Sequence, residues 1–205
     1  MSSFTYEKND ITAPLETYEW DNVWIEHAND TSSRFRVLYI GDSISCVTRR
    51  KATLQTNERI LFDGFGTSKA LDNPFFEDSI RLFARQQPKK RVAVIFNNGL
   101  HGWHLDELSY KYWYEKTVSF LLDEFKGIPI YLLLTTHVKN PEREARTLVR
   151  NSTVIEIAEK YSLPVIDLYT ASKDDRLLLD DGVHLTDDGY GLLAKEIIKH
   201  IEKEL

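Results

Sequence analysis

Short apolar segments alternate with longer segments of helical spacing along most of this chain, and that alternation is the strongest constraint on its fold. The predicted strands cover residues 35–40, 59–63, 91–96, 128–134 and 163–167. The predicted helices cover about 74–86, 106–125, 141–161 and 187–203. Several strands are apolar almost throughout, which is typical of parallel strands buried on both faces. The alternation therefore predicts an α/β fold of three layers, with helices on both faces of a central five-stranded parallel sheet.

The same pattern predicts the domain organisation. The chain has 205 residues, which is enough for one domain with a proper core. We expect residues 35–205 to form this single domain. Residues 1–34, which include Trp20 and Trp24, are expected to form an irregular arm packed on it.

Charge and composition narrow the classes of partner. The formal net charge is −6, whereas binding to nucleic-acid phosphates needs a basic face, so we expect no nucleic-acid partner. No window approaches the roughly 18 apolar residues of a membrane span, and no signal peptide begins the sequence as given, so we expect a cytoplasmic protein. A signal peptide that had already been removed would not be visible in this sequence.

The single cysteine, Cys46, allows no intramolecular disulfide and no cysteine-based zinc site. The sequence does not predict an oligomeric state.

Polar residues follow three of the predicted strands. Gly41-Asp42-Ser43 follows the first strand, residues 64–68 follow the second, and residues 97–101 follow the third. Ligands of parallel sheets bind beyond the carboxyl ends of the strands, so these segments are expected to open onto one site. A serine hydroxyl there becomes a nucleophile only if a base takes its proton.

His184 is the candidate base, and Asp181 lies three residues before it. At that spacing the carboxylate can accept the Nδ1 proton of the imidazole and leave Nε2 facing Ser43. The three residues therefore predict a serine triad. In the alternative interpretation, Ser43 only caps the next helix and the other two are ordinary loop residues. Asp42 is expected to anchor the turn by hydrogen bonding.

An oxyanion site completes such a triad. The candidate donors are the N–H groups of Ser43 and Gly66 and the side-chain amide of Asn98. Gly64 competes with Gly66 for this role, and Asn97 competes with Asn98.

Two histidines close together suggest either a pocket or a metal site. His101 and Trp103 follow Asn98 on the same sheet edge and are expected to line the substrate pocket, together with Asp42 and Asn97. The spacing of His101 and His104 would suit a metal, but no carboxylate or cysteine is placed to complete a site, so no metal is expected.

Four segments together resemble the SGNH (GDSL-type) hydrolases, a family of esterases and lipases with a flavodoxin-like fold. The first block of that family matches Gly41-Asp42-Ser43, and its fifth, Asp-x-x-His, matches Asp181-Gly182-Val183-His184. The second block is similar to residues 65–68. The third, usually Gly-x-Asn-Asp, is similar to residues 96–99, where Phe96 and Gly99 depart from the pattern. The resemblance runs from about residue 36 to residue 200.

The resemblance implies a serine esterase that needs no cofactor. It suggests a small-molecule or oligosaccharide substrate with a short acyl group, such as an O-acetyl ester on a carbohydrate. An acyltransferase and a lysophospholipase-type esterase are alternatives on the same site. An interpretation of another class is a non-catalytic carbohydrate-binding protein with this fold.

Overall fold

The computed structural model describes residues 15–205, which form a six-stranded sheet with helices on both faces. The strands are β1 (Asp21–Trp24), β2 (Phe35–Gly41), β3 (Ile60–Thr67), β4 (Ala93–Phe96), β5 (Ile130–Leu133) and β6 (Val165–Ile166). Their order across the sheet is β1-β3-β2-β4-β5-β6. All neighbours are parallel except β1, which runs antiparallel to β3. The predicted parallel strands are confirmed in β2–β6, and β1 is a sixth strand that the sequence did not indicate.

Helices complete the three predicted layers. Over the described part of the chain they are α1 (Ser43–Gln55), α2 (Phe76–Ala84), α3 (Glu107–Glu124), α4 (Pro141–Tyr161), α5 (Leu168–Ser172) and α6 (Asp187–Ile201), with short 3-10 turns at Asp175–Leu177 and Glu202–Glu204. Helices α2, α3 and α4 pack on one face of the sheet, and α1, α5 and α6 pack on the other. No helix within residues 15–205 is both long enough and apolar enough to cross a membrane.

The central strand β2 shows how the sheet buries both of its faces. Leu38 and Ile40 belong to the core beneath α2, α3 and α4, whereas Val37 and Tyr39 belong to the core beneath α1 and α6. All four side chains are buried, because successive residues of a strand point to opposite faces and both faces are covered. This packing explains the continuous apolar run in the sequence.

Strand β3 is longer than predicted. It continues to Thr67 rather than ending at residue 63, because β2 pairs with it as far as Gly66 and β1 pairs with Gly64–Thr67 on the other side. Gly64 and Gly66 therefore lie within the strand, and not in a loop after it. A Cβ on Gly66 would overlap the Cys46 sulfur, so the close packing of α1 on the sheet requires a glycine at this position.

The expectation of an irregular arm is wrong for residues 21–24. These residues form β1, and every side chain of the strand is exposed. An edge strand without a buried face carries no alternation of polar and apolar residues, so its sequence gave no strand signal. Residues 1–14 of the arm lie outside the described residues, and the division into an arm and one domain stays a prediction.

Candidate active site

Ser43 lies on the turn between β2 and α1. β2 ends at Gly41 and α1 begins at Ser43, so the serine stands at the carboxyl edge of the sheet. The residue that caps α1 is Asp42, whose Oδ1 accepts a hydrogen bond from the N–H of Ile44 at 2.9 Å. Asp42 therefore anchors the turn as expected, and the interpretation of Ser43 as the helix cap is wrong. The Ser43 hydroxyl is left free for another side chain.

That hydroxyl lies within hydrogen-bond distance of an imidazole 141 residues further along the chain. Ser43 Oγ is 2.8 Å from His184 Nε2, and His184 Nδ1 is 2.7 Å from Asp181 Oδ2. Asp181 Oδ1 accepts the N–H groups of Val183 and His184, each at 2.9 Å. The structure therefore brings together the three residues that the sequence predicted as a triad.

These hydrogen bonds also fix the charge of Asp181. The His184 side chain, followed by the N–H groups of Val183 and His184, lowers the pKa of Asp181 to about 2. The carboxylate is therefore ionised at neutral pH and keeps a proton on His184 Nδ1. Nε2 is then the nitrogen that can accept a proton from Ser43, which is the tautomer that a general base needs.

Asp42 places a second carboxyl near the imidazole. The residue is only 2% exposed, and its Oδ2 has no hydrogen-bond partner among residues 15–205. Burial raises the pKa of Asp42, while the charges of His101 and His184 oppose that effect.

Two asparagines follow β4, and their amide groups have different partners. Asn97 Nδ2 donates both of its N–H groups, to Leu133 O at 2.9 Å and to Thr135 Oγ1 at 3.1 Å. Asn98 Nδ2 donates to Lys69 O at 2.9 Å, which leaves its second N–H for another acceptor. These contacts favour Asn98 over Asn97 as the oxyanion donor, and that role stays a proposal.

The two glycines of β3 differ in their distance from the serine turn. Gly66 pairs with Gly41 at the end of β2, and a Cβ on Gly66 would lie 3.2 Å from Asp42 O. Gly64 lies further inside the sheet, under the Arg49 side chain. Gly66 is thus the nearer glycine, but it also pairs directly with Asn22 of β1, in register with the bond from Ser68 N–H to Trp20 O. In that antiparallel register the Gly66 N–H points towards β1 and belongs to the sheet ladder, so it is not free for an oxyanion.

Core packing explains why the third sequence block differs from the usual Gly-x-Asn-Asp pattern at residues 96 and 99. Phe96 is fully buried and packs on Phe76 and Tyr114, with ring centroids 6.5 and 5.3 Å away. Gly99 lies against Thr135, whose Oγ1 would overlap a Cβ at this position. Both departures therefore shape the core and the loop and leave the two asparagines between them in place.

His101 and Trp103, both predicted to line the pocket, lie in different surroundings. His101 Nδ1 is 3.8 Å from Glu16 Oε1, and the His101 ring lies edge-on to Trp20 with centroids 6.3 Å apart. We call Glu16, Trp20 and His101 together the arm wall; of the three, His101 acts on the pKa of Asp42 through its charge. Trp103 instead packs on an arginine of α4, whose guanidinium carbon is 4.5 Å from the ring centroid. A place for Trp103 in the pocket stays a prediction.

Two further histidines contact carboxylates. His104 Nε2 is 3.0 Å from Asp72 Oδ2. His137, which the sequence did not single out, places Nδ1 2.8 Å from Glu144 Oε1 and Nε2 2.9 Å from Asp175 Oδ1. It thereby ties the loop after β5 to α4 and to the segment after α5. Within the part of the chain that the structure describes, no group of three or more His, Cys, Asp and Glu side chains is placed to hold a metal ion.

Solved structures of several hydrolases have the same fold at low sequence identity. A GDSL-like lipase from Bacteroides thetaiotaomicron is similar with a TM-score of 0.65 and 17% identity, over 83% of this chain and 89% of that chain. A lipase/acylhydrolase from Enterococcus faecalis is similar with a TM-score of 0.62 and 20% identity, over 83% and 97% of the two chains. An acetyl xylan esterase is similar with a TM-score of 0.63 and 16% identity, over 81% and 99%. No family model matches the sequence, and no curated protein matches it.

The likeness covers 89–99% of the length of these hydrolases and 81–83% of this chain, so it concerns the domain and not one motif. It includes the sheet whose carboxyl edge carries Ser43, and it agrees with the fold that the sequence blocks predicted. The protein has the fold of the GDSL-like lipases and acylhydrolases.

Proposed function

We propose that the protein is a serine esterase with Ser43 as its nucleophile. The observation that supports this most directly is the hydrogen-bonded chain from Ser43 Oγ through His184 to Asp181. In the first step, Ser43 Oγ attacks the carbonyl carbon of an ester while His184 Nε2 takes the hydroxyl proton. Asp181 holds the ring in place and stabilises the imidazolium.

The negative charge that develops on the carbonyl oxygen needs hydrogen-bond donors. Ser43 is the first residue of α1, and the first N–H groups of a helix have no acceptor within the helix. The N–H of Ser43 and the free amide N–H of Asn98 are the proposed donors. One such donor typically lowers the barrier by about 3–4 kcal/mol.

The intermediate then breaks down to an acyl-enzyme. The ester C–O bond breaks, and the leaving alcohol takes the proton from His184 Nε2. Water then attacks the acyl-Ser43 carbonyl carbon as His184 removes its proton, and the acid is released with the proton returned to Ser43 Oγ. Besides the ester and one water molecule, these steps use side chains and main-chain groups of this chain.

For the substrate, we propose a short acyl ester, such as an O-acetyl group on a carbohydrate. An acetyl xylan esterase is among the proteins of similar fold. The arm wall, whose His101 lies three residues after Asn98, also offers a tryptophan ring, an imidazole and a carboxylate. Flat rings with hydrogen-bonding neighbours suit a sugar better than a long acyl chain.

Replacing the nucleophile tests the reaction. In a p-nitrophenyl acetate assay, we expect Ser43→Ala to lower kcat by at least about 10³-fold. Ser45→Ala is the matched control, because Ser45 Oγ lies on the same turn but donates to Asp42 O at 2.6 Å instead of contacting His184. Equal, near-background rates for the wild type and Ser43→Ala would refute the esterase proposal. A fluorophosphonate that labels the wild type but not Ser43→Ala, read by mass spectrometry, would locate the nucleophile.

A substrate panel tests the acyl group and the leaving group. The panel combines p-nitrophenyl esters from acetate to dodecanoate with acetylated oligosaccharides. We expect the acetate and the oligosaccharides to be hydrolysed fastest. Hydrolysis of only the esters with long acyl chains would contradict the short-acyl proposal, but it would not contradict Ser43 as the nucleophile. Adding an acceptor sugar and analysing the products separates hydrolysis from acyl transfer.

A further inference from the structure

The loop that carries Asn98 is held through its main-chain carbonyl groups by two buried side chains. Tyr110 Oη, from α3, donates to Asn98 O at 3.0 Å. Arg150, from α4, donates Nη1 to Gly99 O at 3.0 Å and to His101 O at 2.7 Å, and Nη2 to Gly102 O at 2.7 Å. Both side chains are at most 1% exposed. We call this set of contacts the carbonyl clamp.

The charge of Arg150 is matched mainly by these carbonyl dipoles. Its guanidinium carbon lies 4.2 Å from the Tyr110 ring centroid and 4.5 Å from that of Trp103. The carboxylate that faces it, Glu107 Oε2, is 3.9 Å from Nε. A buried cation that is paired so loosely is costly unless its N–H groups find acceptors. The carbonyl oxygens accept three hydrogen bonds from Nη1 and Nη2, whereas Nε has no hydrogen-bond partner among the described residues. The carbonyl clamp therefore forms only when the carbonyl groups of the loop point towards Tyr110 and Arg150.

Tyr110 contacts the one residue of this loop that also carries the proposed oxyanion amide. Its bond to Asn98 O fixes the peptide plane that follows the Asn98 Cα. The side-chain amide of Asn98 is held separately, because its Nδ2 donates a hydrogen bond to Lys69 O at 2.9 Å. The second N–H of that amide then has little freedom of direction, which is what a preorganised donor needs.

We propose that Tyr110 is a positioning residue for the oxyanion amide of Asn98, acting through the Asn98 carbonyl; this inference rests on the proposed esterase function. Tyr110 does not touch the substrate. A misplacement of about 1 Å can cost 10²-fold in rate, so loss of one of several restraints should cost roughly tenfold in kcat.

The chain offers a matched control for this test. Tyr114 lies one turn further along α3, is fully buried, and has a ring centroid 5.7 Å from that of Tyr110. Its hydroxyl has no hydrogen-bond partner among the described residues. Tyr110→Phe and Tyr114→Phe therefore each remove one hydroxyl from the same aromatic stack, but only the first removes a bond to Asn98.

We expect Tyr110→Phe to lower kcat for p-nitrophenyl acetate about tenfold with little change in KM. Tyr114→Phe should keep the wild-type kcat. Rates are normalised to active sites titrated with a fluorophosphonate, so that a loss of folded protein does not count as a loss of catalysis. Wild-type kcat in Tyr110→Phe, or an equal loss in Tyr114→Phe, would overturn the inference.

A double-mutant cycle asks whether Tyr110 acts through Asn98. In an Asn98→Ala background, Tyr110→Phe should have almost no further effect on kcat, because the donor it positions is gone. The same loss in both backgrounds would show a general structural role and overturn the inference. Ser43→Ala distinguishes a failure of this inference from a failure of the esterase proposal. If Ser43→Ala abolishes activity while Tyr110→Phe does not change kcat, the esterase proposal stands and the positioning role fails.

Discussion

The exchange of two neighbouring asparagines for alanine should separate catalysis from stability. Asn98 donates one amide N–H to Lys69 O and keeps the other for the proposed oxyanion. Asn97 donates both, to Leu133 O and Thr135 Oγ1. The two changes delete the same side chain at adjacent positions, so a difference between them reports the difference in these contacts.

The magnitudes follow from the number of bonds lost. Asn98→Ala removes one transition-state donor, worth about 3–4 kcal/mol or roughly 10²–10³-fold in kcat. It also removes one ground-state hydrogen bond of about 1 kcal/mol, which lowers the Tm of a chain of this length by about 2–4 °C. Asn97→Ala removes two ground-state bonds, so its Tm should fall by about 4–8 °C while its kcat falls less than about tenfold.

The assay combines steady-state kinetics on p-nitrophenyl acetate with thermal unfolding of the same samples. Rates are measured well below the lowest Tm, so that all variants are folded. We expect Asn98→Ala to be the slower enzyme and Asn97→Ala to be the less stable protein. If Asn98→Ala keeps the wild-type kcat, or if Asn97→Ala loses as much kcat as Asn98→Ala, the assignment of the donor is refuted.

Two further predictions concern pH and stability. Burial raises the pKa of Asp42 above its usual value of 3.8, so ionisation destabilises the folded state and stability falls as pH rises through that shifted range. Asp42→Asn keeps an oxygen acceptor for the N–H of Ile44 and should raise the Tm at pH 7, with the gain shrinking towards pH 4; an equal or larger gain at pH 4 would contradict this. Burial alone would lower the pKa of His137, but its two carboxylate partners raise it above the usual 6.5. The resulting stabilisation of the folded state is fully present below about pH 6.5 and is lost as pH rises through the raised pKa. The loss of Tm caused by His137→Gln should therefore be largest at acidic pH. A loss of Tm that grows with pH would contradict this.

The sequence predicted those parts of the fold and site that depend on local pattern. Strand β2 was recognisable because its apolar run reflects burial on both faces. Asp181 and His184 were recognisable because their contact spans only three residues, and the carboxylate needs no other element to reach the ring. The order of the sequence blocks then placed Ser43 at the same sheet edge.

Other parts had no local signal. The boundaries of α1 were not predicted, because much of its buried side is polar and includes Ser45, Thr48 and Thr53. The contact of Tyr110 with Asn98 depends on a hydroxyl reaching a main-chain carbonyl, and any residue has such a carbonyl. A sequence pattern does not distinguish it from ordinary core packing of an aromatic residue.

Strand β1 also protects the molecule against association with its own copies. Without it, β3 would become the edge of the sheet and would present the unpaired N–H and C=O groups of Gly64–Thr67 to passing chains, which is a template for aggregation. β1 is a poor template in its turn, because it has only four residues and its first, Asp21, is paired with Lys69 at 2.7 Å. A chain shortened to begin after Trp24 would keep every residue of the Ser43–His184–Asp181 contacts. Its first defect would be insolubility, and the fraction that stayed in solution would keep these contacts but lack Glu16 and Trp20 of the arm wall.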